Sequence, residues 1–121
     1  MLIAFWIITG LLAVAYLGAG LMKVARPKEA LASSGMGWTE DFTIGPVKLI
    51  GFAEVVGAIG LVLPVLVNVA PILSPIAAIA LAVLMIGAVV VHLRRKEPFV
   101  APLVLAALSV VSAVLGFAVI A

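Results

Sequence analysis

The chain has 121 residues, 67% of them hydrophobic and only 10% charged, and its mean hydropathy is +1.48. A soluble domain carries about 25% charged residues, so seven Lys and Arg with five Asp and Glu cannot cover a water-facing surface, and a soluble fold is excluded. A net charge of +2 is no footprint for nucleic acid. The absence of Cys excludes disulfides, thiol redox chemistry and Cys-ligated zinc or iron–sulfur centres. Each membrane-spanning helix needs about 20 apolar residues, so four take up roughly 80 and leave about 40 for connections.

The first apolar run, Leu2–Met22, is uncharged and ends at Lys23, Arg26, Pro27 and Lys28. No basic residue precedes it and three follow at once, the pattern of a retained span rather than of a leader cleaved after Ala13-Val14-Ala15. The segment 23–48 comes next. Lys28 to Ala32 has the composition of about one helical turn, stopped by Ser33-Ser34-Gly35. Trp38 and Phe42 lie among polar residues, either as interfacial anchors of a surface-lying connector or as part of a lid over a site between the helices.

Leu49–Val67 forms the second span, with Pro64 kinking or ending it. Asn68 and Pro71–Pro75 make an uncharged turn, and Ile76–Leu93 the third span. Residues 94–98 are a tight polar turn, and Phe99–Ala121 the fourth span, with Pro102 in its first turn, where a missing N–H costs little. These runs have helical length and are apolar on every face, unlike the alternating strands of a barrel. The expected fold is all-α, an integral membrane four-helix bundle formed as one domain over residues 1–121. All seven Lys and Arg fall in or beside the segments 23–48 and 94–98, and none lies at the termini or in the 68–75 turn. The positive-inside rule then puts both basic loops in the cytoplasm and both termini on the other side of the membrane.

Of the five acidic residues, only Glu54 lies within a span, about 9 Å past Lys48 at a rise of ~1.5 Å per residue. An ionisable group at that depth costs roughly 2.5–3.5 kcal/mol on insertion scales and turns toward the bundle. Gly51 and Ala58 flank it on one face and leave space beside the carboxylate. Ala53, Gly57 and Gly60 form a second small-residue stripe suited to close approach of another helix. His92, Lys23 and Tyr16 belong to the same side of the membrane, so four polar residues from three helices form a candidate intramembrane site. Each has a plainer reading: His92 as an interfacial residue, Lys23 as a snorkelling helix-end anchor, Tyr16 as packing, Glu54 as half of a structural interhelical pair. No metal site is expected from one His, and haem ligation through His92 would need an axial partner from another chain. Phosphate-binding loops and Ser-centred nucleophile motifs are absent from the sequence.

The chain resembles the DoxX-like family of small four-helix bacterial membrane proteins over nearly its whole length. The resemblance rests on Gly20-Leu21-Met22-Lys23, on the stretch from Gly51 through Glu54, Gly57 and Gly60 to Pro64, on Ala77-Ala78 through Met85-Ile86-Gly87-Ala88, and on His92-Leu93-Arg94-Arg95-Lys96-Glu97. It implies a link to membrane-associated oxidoreductases, since the family is named after a membrane subunit of a thiosulfate:quinone oxidoreductase. Other members are related to eukaryotic membrane proteins that assist receptor assembly. Three functions are therefore expected in competition. The first is an accessory or membrane subunit of a quinone-linked redox system, with Glu54 and His92 lining a pocket for a quinone-like lipophilic molecule. The second is a non-enzymatic assembly or chaperone-like subunit whose small-residue stripes bind partner helices. The third is a small transporter, which would have to be a homo-oligomer because four helices make a thin bundle.

Overall fold

A computed structural model describes residues 1–33 and 36–120, without the side chains of Lys28 and Asp41. All regular structure among them is helical: α1 (Leu2–Ala25), α2 (Lys28–Ser33), a short 3-10 helix (Gly37–Asp41), α3 (Ile44–Leu66), α4 (Leu73–Arg94) and α5 (Val100–Ile120). The four long helices are of membrane-crossing length and hydropathy, and they form the expected all-α transmembrane bundle. Their limits differ from the apolar runs in an informative way. α1 continues three residues beyond Met22 and so includes Lys23, while α3 begins at Ile44, five residues before its apolar run. A helix does not stop where polarity begins, because its backbone hydrogen bonds continue into the interfacial layer. α2 matches the turn expected from Lys28 to Ala32; the stop expected at Ser34-Gly35 lies outside the described residues. α3 runs two residues past Pro64 before ending.

The helices stand in a ring. α1 packs most extensively on α3, and α4 on α5, while α3 with α4 and α1 with α5 share smaller interfaces. Their outer faces carry exposed Ile3, Ile7, Leu11 and Val14 on α1, Val83 and Ile86 on α4, and Val110 and Val114 on α5. Such surfaces are at equilibrium only against lipid tails, so this is a multi-pass membrane protein in contact with the bilayer.

Within each pair the fit is close; between the pairs it depends on depth. α1 and α3 touch backbone to side chain at Gly20 and Gly51, where a Cβ on Gly20 would lie 2.6 Å from the Gly51 carbonyl oxygen. The joints between the pairs lie from mid-membrane toward the end bearing the 67–72 turn. Leu81 of α4 sits on Gly57, Ala77 lies beside Gly60, and Gly116 of α5 receives Phe5 of α1. Hydrogen bonds reinforce these joints: Ser74 Oγ donates to the Leu61 carbonyl at 2.6 Å, and Thr9 pairs with Ser112 at 2.8 Å. An interhelical hydrogen bond of this kind contributes about 0.6–1.7 kcal/mol in a bilayer. Tyr16 of α1 and Ser109 of α5 add a further joint at 2.7 Å, and toward the basic loops a cavity lies between the pairs.

Candidate functional site: a buried ion pair in an apolar cavity

The cavity encloses about 400 Å³, within the range of about 300–1,000 Å³ that small-molecule pockets occupy. Each long helix gives it a wall: Lys23 from α1, Ile50 and Glu54 from α3, the last three turns of α4 up to His92, and Pro102 and Leu105 from α5. Met36, Trp38 and Phe42 of the 23–48 connector cover it from the basic side. Its walls are apolar except at Lys23, Glu54 and His92.

Local sequence explains why the ion pair forms. With no side chain at Gly51, the Cβ of Lys23 packs where a Gly51 Cβ would have been, 2.6 Å from that point. The lysine stem is therefore laid along α3 and directed inward, one turn below Glu54. Its Nζ donates to Glu54 Oε1 at 2.5 Å, and the two residues are only 6% and 1% exposed. These exposures exclude the snorkelling reading of Lys23. The ammonium also lies 5.7 Å from the ring centroid of Trp38, within the range of a cation–π contact. Trp38 and Phe42 meet edge to face, with centroids 5.8 Å apart. Both aromatics of the connector therefore line the cavity while staying partly exposed. Lys48, in α3 directly before the apolar run, donates its Nζ to the Val24 carbonyl at 2.6 Å and so satisfies one of the carbonyls left open at the end of α1.

His92 and Tyr16 stand differently. The buried Nδ1 of His92 has no hydrogen-bond partner; Glu97 Oε1, held by Arg95 Nε at 3.0 Å, is 3.8 Å away, beyond hydrogen-bond reach. His92 therefore shares the cavity with Glu54 without bonding to it. Tyr16 does not join the ion pair. Its hydroxyl is 2.7 Å from Ser109 Oγ, and Ser109 donates its one proton to the Leu105 carbonyl at 2.7 Å, so Tyr16 is the donor. It belongs to the seam between α1 and α5.

The small residues also divide. Gly51, Ala58, Gly57 and Gly60 pack inside the bundle. Gly51 leaves no empty space beside Glu54, because Lys23 fills it. Gly57 and Gly60 do receive a neighbouring helix, but it is α4 of the same chain, whereas Ala53 is exposed on the outer face. Sequence reasoning overlooked Thr9, Ser109 and Ser112. The available signal was their spacing: Ser109 and Ser112 are three apart, and Thr9 and Tyr16 seven apart, so each pair lies on one helical face. Among the described residues, no group of three or more His, Asp or Glu side chains could hold a metal ion.

Comparison with known proteins adds one relationship. A family model, described as the DoxX-like family, matches residues 7–115. No curated protein and no solved structure matches the chain. The matched region covers the second and third spans whole, most of the first and fourth, and every residue of the cavity, and the chain belongs to the DoxX-like family.

Proposed function

We infer that this DoxX-like membrane protein is an accessory or membrane subunit of a quinone-linked redox system, and that the cavity holds a quinone-like lipophilic molecule. The observation that carries this reading is the polar group set at the inner end of an otherwise apolar pocket: a buried Lys23–Glu54 pair with His92 nearby. Lys23 has three N–H donors, and only one is engaged by Glu54. Another can meet a ring carbonyl, Glu54 can accept a ring hydroxyl, and His92 can exchange a proton with the basic-loop side. The rival reading as a partner-helix chaperone is weakened, since the Gly57–Gly60 stripe on which it rested is covered by α4.

The test is gentle extraction from the membrane followed by mass spectrometry of co-purifying proteins and lipophilic compounds. Wild-type protein should carry a quinone and an oxidoreductase subunit, and the His92→Ala and Glu54→Gln variants should carry several-fold less quinone while remaining folded. Wild-type protein free of quinones would overturn the reading.

The orientation follows from charge. We place both basic loops in the cytoplasm, with the termini outside. The absence of Cys makes this simple to check. On intact spheroplasts a membrane-impermeant maleimide should label an Asn68→Cys variant and leave a Lys96→Cys variant unlabelled. The reverse pattern would invert the topology.

A further inference from the structure

The cavity has a side opening as well as a cover. Gly87 lines it, yet Gly87 is exposed, and a Cβ built there would meet nothing within 4 Å. On α4 the direction of α3 is marked by Ala77 and Leu81, which rest on Gly60 and Gly57. At 100° per residue, Leu84 and Val91 fall roughly 60–80° to the outer side of Leu81, and Gly87 about 120°. All three still line the cavity, as does Ile50 on the facing side of α3. The space therefore passes from Glu54 out between α3 and α4, just beyond the Gly57–Leu81 contact, to a surface that faces lipid tails.

We propose that the gap between α3 and α4 at Gly87 is a lateral portal, and that the ligand is a chain-bearing amphiphile whose polar ring reaches Lys23, Glu54 and His92 while its hydrocarbon chain leaves through the portal into the bilayer. The proposal rests on the reading of the cavity as a quinone site and extends it to the route and class of ligand. The chemistry is graded along the path. Polar groups stand only at the inner end, the throat of Ile50, Leu84 and Val91 is apolar, and the lip carries no side chain at all. An opening to water would place polar groups at its lip instead. The enclosed volume of about 400 Å³ accommodates a ring head group and only the first part of a long chain, so such a chain has to lie outside. Trp38 and Phe42 line the basic-loop side of the same space, with their aromatic rings rather than polar groups turned to it.

The probes are a dimethoxy-methyl-benzoquinone with and without a decyl chain, and the signal is quenching of Trp38 fluorescence in nanodiscs. A Trp6→Phe background removes the other tryptophan. Gly87→Phe should weaken the decyl quinone about tenfold, a loss of one decade in Kd, and leave the chain-free quinone within about twofold. A Gly87→Cys variant, folded first and then alkylated with a bulky maleimide, should behave in the same way, which separates blockage from misfolding. Equal weakening of both quinones, or of neither, would overturn the portal while the cavity reading stands. Quenching of the wild-type protein by neither quinone would overturn the cavity reading and the portal with it.

Discussion

Lys23→Met is expected to destabilise the protein by about 3–5 kcal/mol, the cost of stranding one partner of a buried ion pair. Glu54 is 1% exposed and shares its Oε1 with the lysine ammonium, so removing the cation leaves a carboxylate with neither water nor countercharge. The Glu54→Leu change should do similar harm by stranding the ammonium, whose remaining contact is the face of Trp38. The informative variant is the double one. Replacing both with apolar residues of like volume, Lys23→Met with Glu54→Leu, removes the charge problem altogether and should recover most of the loss. Thermal unfolding in detergent, followed by helical circular dichroism, measures all three. A double variant as unstable as the two singles summed would mean that Lys23 and Glu54 are not energetically coupled. A double variant near wild-type stability, with quinone binding abolished, would instead mean that the pair is kept for the ligand and not for the fold.

How far the sequence discloses this site depends on the residue. The four spans are legible because nothing but lipid contact tolerates so few charges, and the common side of the basic residues is legible because antiparallel helices carry them there. Glu54 stands out for the same reason: a lone carboxylate in an apolar run has few physical explanations. Lys23 does not. A lysine in the last turn of a span can extend to the interface or turn inward, and the choice is made by Gly20 and Gly51, on two helices 31 positions apart, letting the backbones close. The stripe at Gly57 and Gly60 announces that a helix will approach without saying which one. Leu81 and Ala77 give no signal of their own, since any apolar residue can serve as the knob. Tyr16 finds Ser109 and not Glu54 because α5 returns beside α1, a matter of ring order that no single span encodes. The cover is the hardest part to read, for Trp38 and Phe42 have the composition of interface anchors, and only the path of the 23–48 connector carries them over the cavity.

Closure of α1 on α3 is accordingly where a single methyl group should do most. In Gly20→Ala the new Cβ would stand 2.6 Å from the Gly51 carbonyl oxygen and 2.8 Å from Val55 Cγ2; in Gly51→Ala it would stand 2.6 Å from Lys23 Cβ and 2.8 Å from the Gly20 carbonyl oxygen. Side chains can turn away from such an approach, but carbonyl oxygens belong to the helix backbones and cannot. The helices must therefore separate by a sizeable part of an ångström along their largest interface. Overpacking of this type costs about 1–3 kcal/mol, occasionally more, and it also draws the Lys23 ammonium away from Glu54, adding part of the cost of a broken pair. Either variant should unfold several degrees lower and lose quinone binding, and Gly20→Leu should fail to accumulate in the membrane. Gly10 and Gly18 supply the internal control. They lie in the same helix, and a Cβ on either meets nothing within 4 Å, so alanine there should be neutral or stabilising by up to about 1 kcal/mol, through helix propensity alone. If Gly20→Ala and Gly18→Ala have equal thermal stability, the close approach of α1 and α3 is not what sets the ion pair in place. If only Gly20→Ala falls, and its loss is reduced when Lys23 and Glu54 are already Met and Leu, then the glycine contact and the ion pair are coupled as the packing implies.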